Sequence, residues 1–306
     1  MRIFVAGATG AVGARLVAQL VQRGHEVIGS SRSPESASEL RVLGAAPIAL
    51  DLLDPKAVRD AMEAASPDAV VHEATALAGR SDFKHFDESF EQTNRLRTEG
   101  TDALLAAAHE VGVPRVIAQS YAGWPYAREG GPVKTEQDPL DPTPVPEMRQ
   151  TLDAIEHLER VVTESGGIVL RYGGLYGSPH DPQLELVRKR RFPIVGDGGG
   201  IWSFVHLDDA AAATVLAVER EATGIYNIVD SDPAPVREWL PALAQAARAK
   251  PPRRVPRWLA RLFAGEVGVV LMTETRGASN AKARRELGWT LRHPSWREGF
   301  ASAYGA

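Results

Sequence analysis

The sequence predicts an α/β fold: a doubly wound parallel sheet with a smaller C-terminal domain interleaved into it. Three observations carry the prediction. An apolar run, Ile3-Phe4-Val5-Ala6, leads directly into the glycine-rich turn Gly7-Ala8-Thr9-Gly10-Ala11-Val12-Gly13, and a helical stripe of Val12, Leu16, Leu20 and Val21 follows. Strand-like and helical segments then alternate at the spacing of βαβ units as far as residue 172. Beyond Gly177 the rhythm fails, yet one more strand–helix–strand set returns late, so the second domain is woven into the first.

Taken in order, 25–30 is the second strand and closes the first βαβ unit. Arg32-Ser33-Pro34 opens a helix to about Leu43, 47–52 is a third strand with a polar end, and 55–65 is helical. Residues 68–72 read as a strand buried on both faces. The proline-free stretch 86–111 predicts one long helix with Leu96, Leu104, Leu105 and Ala108 inward, and 115–120 a fifth strand. The run from Tyr121 to Glu147 holds six prolines and three glycines and must be loop; loops of that length inside a compact domain usually serve a site. A helix over 147–165 and a strand over 168–172 follow. A basic helix is expected over 184–191. A strand at Phe204-Val205-His206, a helix over 208–220 and a strand over 225–228 return to the sheet, and short helices follow from Val236. The boundaries this implies are 1–176 with 204–230 for the first domain, and 177–203 with 231–306 for the second.

The 306 residues are 44% hydrophobic and 24% charged, enough for a large core, and the net charge of −4 gives no overall pull toward nucleic acid or anionic membranes. The absence of cysteine excludes disulfides, thiolate metal sites and cysteine nucleophiles. The first strand begins at Arg2, leaving no room for a signal peptide, and no apolar run is long enough to span a bilayer. A cytoplasmic protein is expected. Arg188 to Arg191 and the Lys250 to Arg261 segment are locally basic and read as solvated surface. Trp258 to Met272 reads as core, or as a wall over a pocket. His206 with Asp208 and Asp209 has no second histidine at metal spacing, and Asp208 sits where a helix cap is wanted, so no metal is expected.

A strand feeding a glycine-rich turn and a helix N-terminus makes a pyrophosphate cradle. Small residues let the backbone approach, and the helix's free N–H groups face the anion. The turn therefore points to a dinucleotide held by Gly7, Thr9, Gly10, Ala11, Val12 and Gly13. An NAD-selective site wants a carboxylate at the end of the second strand. Ser30, Ser31 and then Arg32 stand there, and a hydroxyl with a guanidinium suits a 2′-phosphate. NADP is favoured, with NAD left open.

Together these residues resemble the extended or atypical short-chain dehydrogenase/reductase superfamily, in its NAD-dependent epimerase/dehydratase family. Five segments in the family's order carry the likeness: the Gly7 turn; Asp51-Leu52; Val71-His72-Glu73-Ala74-Thr75-Ala76; Phe204-Val205-His206-Leu207-Asp208-Asp209; and the stretch from Ser279 to Trp289. The resemblance implies a Rossmann domain with a small C-terminal substrate domain. It implies Asp51 and Leu52 at the adenine, Ala74, Thr75 and Ala76 beneath the ribose and nicotinamide, and Tyr172 among the cofactor-binding residues. A homodimer through the helices after strands four and five is common in the family.

The resemblance also implies a tyrosine and, four residues later, a lysine on the helix after strand five, the lysine lowering the phenol's pKa so that it shuttles a proton. That pattern falls on Met148 and Leu152, with Glu156 in the place of the usual acidic residue, and no Tyr-x-x-x-Lys occurs anywhere in the chain. Candidate catalytic replacements are Ser120, Tyr121 and the loop residue Tyr126, with Lys134 nearby in sequence. Where family members acting on nucleotide sugars carry an arginine, this chain has Ile201-Trp202-Ser203. Trp202 offers a flat apolar wall, Trp124 can face the same pocket, and His180 is a further substrate contact. The reading is an NADP-preferring oxidoreductase acting on a carbonyl or alcohol of a small, apolar, non-nucleotide metabolite, with a non-standard proton donor. A redox sensor that binds NADP and works through a protein partner, and an epimerase or dehydratase, are the alternatives. No nucleic-acid or membrane partner is expected.

Overall fold

The computed structural model describes residues 1–77, 82–178 and 181–305. β1 (Arg2–Ala6) is buried from Ile3 onward, and α1 (Gly13–Gln22) lays Leu16, Val17 and Leu20 against the sheet. β2 (Glu26–Ser31) leads to α2 (Pro34–Val42), where Ser33 Oγ accepts the Ser36 N–H at 3.2 Å and Pro34 fills the first turn. Both residues suit a helix start, one by capping and one by lacking an N–H that would go unpaired. β3 (Ala46–Ala49) ends before the expected Leu52, because Asp51 Oδ1 turns back to accept the Leu53 N–H at 3.0 Å. Asp54 then caps α3 (Pro55–Ala65), and β4 (Ala69–His72) is buried throughout.

The expected long helix runs as α4 (Phe86–Arg95) and α5 (Thr101–Glu110), joined by a π-helical turn at Leu96–Gly100. Thr98 and Thr101 bond back to the carbonyls of Asn94 and Leu96 there. β5 (Val116–Tyr121) opens into the proline-rich loop, irregular as expected except for the short β6 (Val133–Lys134). α6 (Arg149–Glu164) and β7 (Ile168–Tyr172) follow. The N-terminal amides of α6 are met by Asp87 from α4, whose carboxylate accepts from Gln150 N and Thr151 N at 3.0 and 2.9 Å.

The remaining elements are β8 (Gly174–Tyr176), α7 (Pro182–Arg188), β9 (Ile194–Val195), β10 (Ile201–Trp202), β11 (Phe204–His206), α8 (Leu207–Glu219), β12 (Gly224–Ile228), β13 (Ala234–Pro235), α9 (Val236–Ala246), β14 (Arg254–Val255), α10 (Arg257–Thr273), β15 (Gly277–Ala278), α11 (Ala281–Glu286) and α12 (Trp296–Tyr304). Seven strands pair in parallel in the order β12-β7-β5-β4-β1-β2-β3. Strand order reverses between β1 and β4, and in such sheets ligands bind at the carboxyl ends beside that reversal.

Three expectations need correction. Phe204–His206 does not rejoin the main sheet; it pairs in parallel with β8, while β12 does join, beside β7. The basic helix stops at Arg188, since Arg190 takes a positive φ of 53°. The C-terminal helices are not all short: α10 spans 17 residues, interrupted at Gly265 with φ 67° and ψ −172°. Such a conformation strongly favours glycine. After the break Val267 to Met272 are buried; before it Trp258, Leu262 and Phe263 are exposed.

Two large apolar cores result. One joins β1, α1, β7, β12 and α8, with Trp289 at its edge. The other gathers Phe192, Phe204, Trp239, Trp296 and Phe300. Trp239 is fully buried, its ring centroid 5.2 Å from that of Phe204 and 4.9 Å from that of Trp202. Trp239→Ala is expected to cost about 3–5 kcal/mol, measured by urea unfolding; a loss below about 1 kcal/mol would show that this cluster contributes little.

Candidate active site

β1 delivers the chain to Gly7 at φ 82°, and Gly10 N donates to Gly7 O at 3.0 Å to close the turn. A Cβ on Gly7 would lie 2.6 Å from Ala74 N, and one on Gly13 2.2 Å from Gly7 O. Neither place has room for a side chain. Ser30 Oγ accepts the Gly7 N–H at 3.1 Å, tying β2 to the turn. No side chain among the described residues caps the start of α1, and apart from Ala14 N, which donates to Gly10 O at 3.0 Å, its first N–H groups remain available to an anion. Thr9 is half-buried, and Gly10 and Ala11 are exposed at the mouth of the turn. Ser31 is buried, with its Oγ donating to Ser33 O at 3.3 Å. Arg32 is exposed at the tip of β2 and has no ion-pair partner among the described residues.

Across the reversal, β4 is followed by the buried Glu73 and then by Ala74, Thr75 and Ala76, which form a half-buried shelf. Ala76 N donates to Thr93 Oγ1 at 3.1 Å, and Ala74 N to His72 Nδ1 at 3.3 Å. Tyr172, expected on the cofactor, is fully buried with its phenol donating to Glu73 Oε1 at 2.6 Å and lying 2.6 Å from Thr214 Oγ1. It supports the shelf from beneath. Asp51 is exposed, and Leu52 is buried beside Gly100.

The catalytic candidates separate into two environments. Ser120 Oγ donates to Glu159 Oε1 at 2.6 Å, and Arg171 forms a two-pronged pair with the same carboxylate at 2.7 and 2.5 Å. Arg171 Nη1 also donates to Tyr126 Oη at 3.0 Å, and Tyr126 donates to Asn227 Oδ1 at 2.6 Å. Burial opposes the charge on Arg171, but Glu159 more than offsets this and holds it above the usual arginine value. Ser120 and Tyr126 are thus joined in one buried network. Lys134 is buried elsewhere in the loop, its Nζ donating to Glu129 O at 2.6 Å. Tyr121 is half-buried with its ring against Gly123, has no side-chain hydrogen bond among the described residues, and is pushed up to about 12 by burial.

Met148 and Leu152 are both buried. Met148 belongs to an apolar cluster with Phe86, Val145, Val267, Val270 and Leu271, against which Phe90, Trp124 and Trp202 pack. Trp124 meets Phe86 edge-on at 5.5 Å, and Trp202 Nε1 donates to Leu271 O at 2.8 Å, leaving its ring as an apolar surface. The two tryptophans are therefore brought to one wall, though 78 residues separate them in sequence. His180 lies outside the described residues.

His206 does find a second histidine. His293 stacks on it with ring centroids 3.9 Å apart, and ligand atoms of His206, Asp208 and His293 lie within 4.8 Å of one another. The nearby partners are already engaged, with Asp208 N donating to His206 Nδ1 at 3.2 Å and Arg15 Nε to Asp208 Oδ1 at 2.9 Å. That arrangement caps α8.

Sequence reasoning passed over Glu73, whose signal was a carboxylate closing an otherwise apolar strand. It also missed Arg97, buried in the π turn with Nη1 unpaired among the described residues and pulled down to about 10 by burial. Nothing in the spacing of Arg97 marked it, because the π turn that orients it has no sequence signature.

The fold and turn define a dinucleotide-binding protein of the Rossmann class. The family model of the NAD dependent epimerase/dehydratase family matches residues 3–229. A 3-diazoavenalumate denitrifying reductase of Streptomyces sp is 44% identical over 308 residues, covering 98% of this chain and 99% of that protein. A 2-alkyl-3-oxoalkanoate reductase of Stenotrophomonas maltophilia is 32% identical over 267 residues, covering 81% and 76% respectively. Among solved structures, the UDP-glucose 4-epimerase of Thermotoga maritima with UDP-glucose matches with a TM-score of 0.79 at 20% identity, covering 99% of this chain and 97% of that one. The UDP-glucose 4-epimerase of Thermus thermophilus in complex with NAD gives 0.75 at 24%, covering 99% and 98%. The chain belongs to the NAD-dependent epimerase/dehydratase family. It is an NAD(P)-dependent oxidoreductase or epimerase/dehydratase that uses a nicotinamide cofactor.

Burial pushes Glu73 up to about 8, and its Oε2 has no partner among the described residues. The native state then keeps a proton that the unfolded state has lost, so stability falls as pH rises toward 8. Asp230, raised to about 8 chiefly by burial, gives the same slope. His72, lowered to about 4 by burial, gives the opposite slope below its ordinary 6.5. Between about 6.5 and 8 the two carboxyls act unopposed by His72, each contributing on the order of 1 kcal/mol per pH unit. Glu73→Gln is expected to remove about half of that slope in urea titrations at the two ends of the interval. An unchanged slope would remove Glu73 from this account.

Proposed function

We propose that the protein is an NADP-preferring reductase that hands a hydride to an apolar, aromatic, non-nucleotide substrate, and that an arene bearing a diazonium group suits the site best. The observation that carries this reading is the wall containing Met148. Met148 and Leu152 stand where the family resemblance puts a proton-donating pair, with Phe86, Trp124 and Trp202 adding apolar surface to the Met148 side. Such a wall offers no acid to a developing alkoxide. Replacing a diazonium group by hydrogen requires none. The reduced nicotinamide supplies a hydride when bound; a C–H bond forms, the C–N bond breaks, and dinitrogen leaves with that bond's electron pair. The products are the arene, dinitrogen and the oxidised nicotinamide, so atoms and charge balance. The end-to-end relative named for denitrifying a diazo compound supports the same class.

The chain's own residues would bind, orient and exclude water. Backbone N–H groups of the Gly7 to Gly13 turn, other than those of Gly7 and Gly10, which bond to Ser30 and to the Gly7 carbonyl, take the pyrophosphate, with Thr9, Gly10, Ala11 and Val12 forming the turn. Ser31 and Arg32 take the 2′-phosphate, Arg32 being exposed and free of any carboxylate among the described residues. Asp51 and Leu52 flank the adenine, and Ala74, Thr75 and Ala76 lie under the ribose and nicotinamide. Trp124 and Trp202 hold the aromatic ring of the substrate.

One observation favours a second reading, carbonyl reduction with Tyr121 as the acid. Its phenol keeps its proton and has no side-chain partner among the described residues, unlike those of Tyr126 and Tyr172. The relative named as an oxoalkanoate reductase supports that chemistry. Turnover of aryl diazonium and aryl ketone panels with NADPH, followed by product mass, separates the readings. Tyr121→Phe is expected to leave arene formation within about twofold; a loss of about 10²-fold or more would install Tyr121 as the acid. Arg32→Ala is expected to weaken NADPH about tenfold while leaving NADH unchanged. Equal weakening of both would refute the NADP preference.

A further inference from the structure

Two basic runs lie far apart in sequence and together in space. Arg188 to Arg191 runs from the last residue of α7 into the turn beyond it, and the stretch from Trp239 to Gly265 carries six arginines and lysines with no carboxylate. Pairing of β9 with β14 joins them, and Arg190 Nε donates to Pro251 O at 3.2 Å. Glu185 engages Arg188 and Lys189, Glu266 engages Arg261, and Glu274 lies 3.7 Å from Arg257. Arg190, Arg191, Arg248, Lys250, Arg253 and Arg254 have no carboxylate partner among the described residues. On a chain of net charge −4 this is a concentrated positive face.

The first half of α10 rises directly from that face. Trp258, Leu262 and Phe263 are 64%, 61% and 76% exposed, while Arg257 and Arg261 lie beside them on the same helix. The break at Gly265 separates this half from the buried half that follows. Large apolar side chains standing together in water mark a contact surface.

We propose that this face docks the protein on an anionic lipid bilayer, the apolar tips entering the headgroup boundary and the unpaired cations meeting lipid phosphates. The tips decide the partner: a duplex bound through its phosphates is met by cations alone, whereas an apolar helix face bordered by arginine is the pattern of an interfacial helix. No helix among the described residues is long and apolar enough to cross a membrane, so the contact is peripheral.

Cosedimentation of the full chain with vesicles tests this. Vesicles of phosphatidylcholine with phosphatidylglycerol are expected to bind at least about tenfold more tightly than phosphatidylcholine alone, with the difference shrinking in salt. The double variants Trp258→Ser/Phe263→Ser and Arg253→Glu/Arg254→Glu should each lose about tenfold while keeping cofactor binding at the Gly7 turn. Three results would each overturn the proposal: no preference for the anionic vesicles, vesicle binding that survives Trp258→Ser/Phe263→Ser, or tighter binding to duplex DNA. Conversion of a dimer to a monomer by Trp258→Ser/Phe263→Ser in light scattering would assign the face to a second copy of the chain and equally overturn it.

Discussion

The carboxyl edge of the sheet depends on two places where backbone meets backbone with no room between. Gly7 passes against Glu73 and Ala74, and Gly13 packs on the Gly7 carbonyl. A single methyl group at Gly7 would press β1 away from the end of β4. The same displacement would break the bond from Gly7 N to Ser30 and tilt the start of α1. Because strand order reverses between β1 and β4, the packing requirement and the binding site share one location. In the proposed reading the glycines are therefore demanded twice, by the sheet and by the phosphate.

Around that edge, charge is buried where it holds elements together. The Glu159 carboxylate joins α6 to β7 through Arg171 and to β5 through Ser120, and Tyr126 with Asn227 extends the network to the loop and β12. Removing one partner of such a pair strands the other charge in the interior, which typically costs about 3–5 kcal/mol. Strand alternation explains why Tyr121 escapes this network. Successive residues of β5 point to opposite faces, so Ser120 turns toward Glu159 and its neighbour does not.

Much of the fold was legible because it rests on local signals. The apolar runs at Ile3 and Ala69 and the stripe of Leu16 and Leu20 each fix one element, and their alternation fixes the parallel sheet. Errors arose where a nonlocal contact or a special backbone decided. Phe204 to His206 reads as another strand of the main sheet, yet its partner is β8, two residues after β7. The apolar stretch from Trp258 to Met272 gives no warning that Gly265 divides it into an outer and an inner half. At the site, the turn and shelf could be placed by motif. The roles of Ser120 and Tyr126 depended on Glu159, Arg171 and Asn227, which come from three elements and share no spacing. His293 met His206 across 87 residues for the same reason.

The proline-rich loop is fastened along its length. Ala127 N donates to Pro139 O at 3.0 Å, Asp141 N to Pro125 O at 2.8 Å, and Arg128 bridges to Asp141 at 2.9 Å. Tyr126 anchors the base in the core through Asn227 and Arg171. Opening this staple would expose a buried phenol and leave a guanidinium hydrogen bond unmade, so the amides of Ala127 and Asp141 at its base are expected to exchange slowly with solvent. The consequence is kinetic: a loop fastened to the interior at its base is not expected to be the door that sets the pace of turnover.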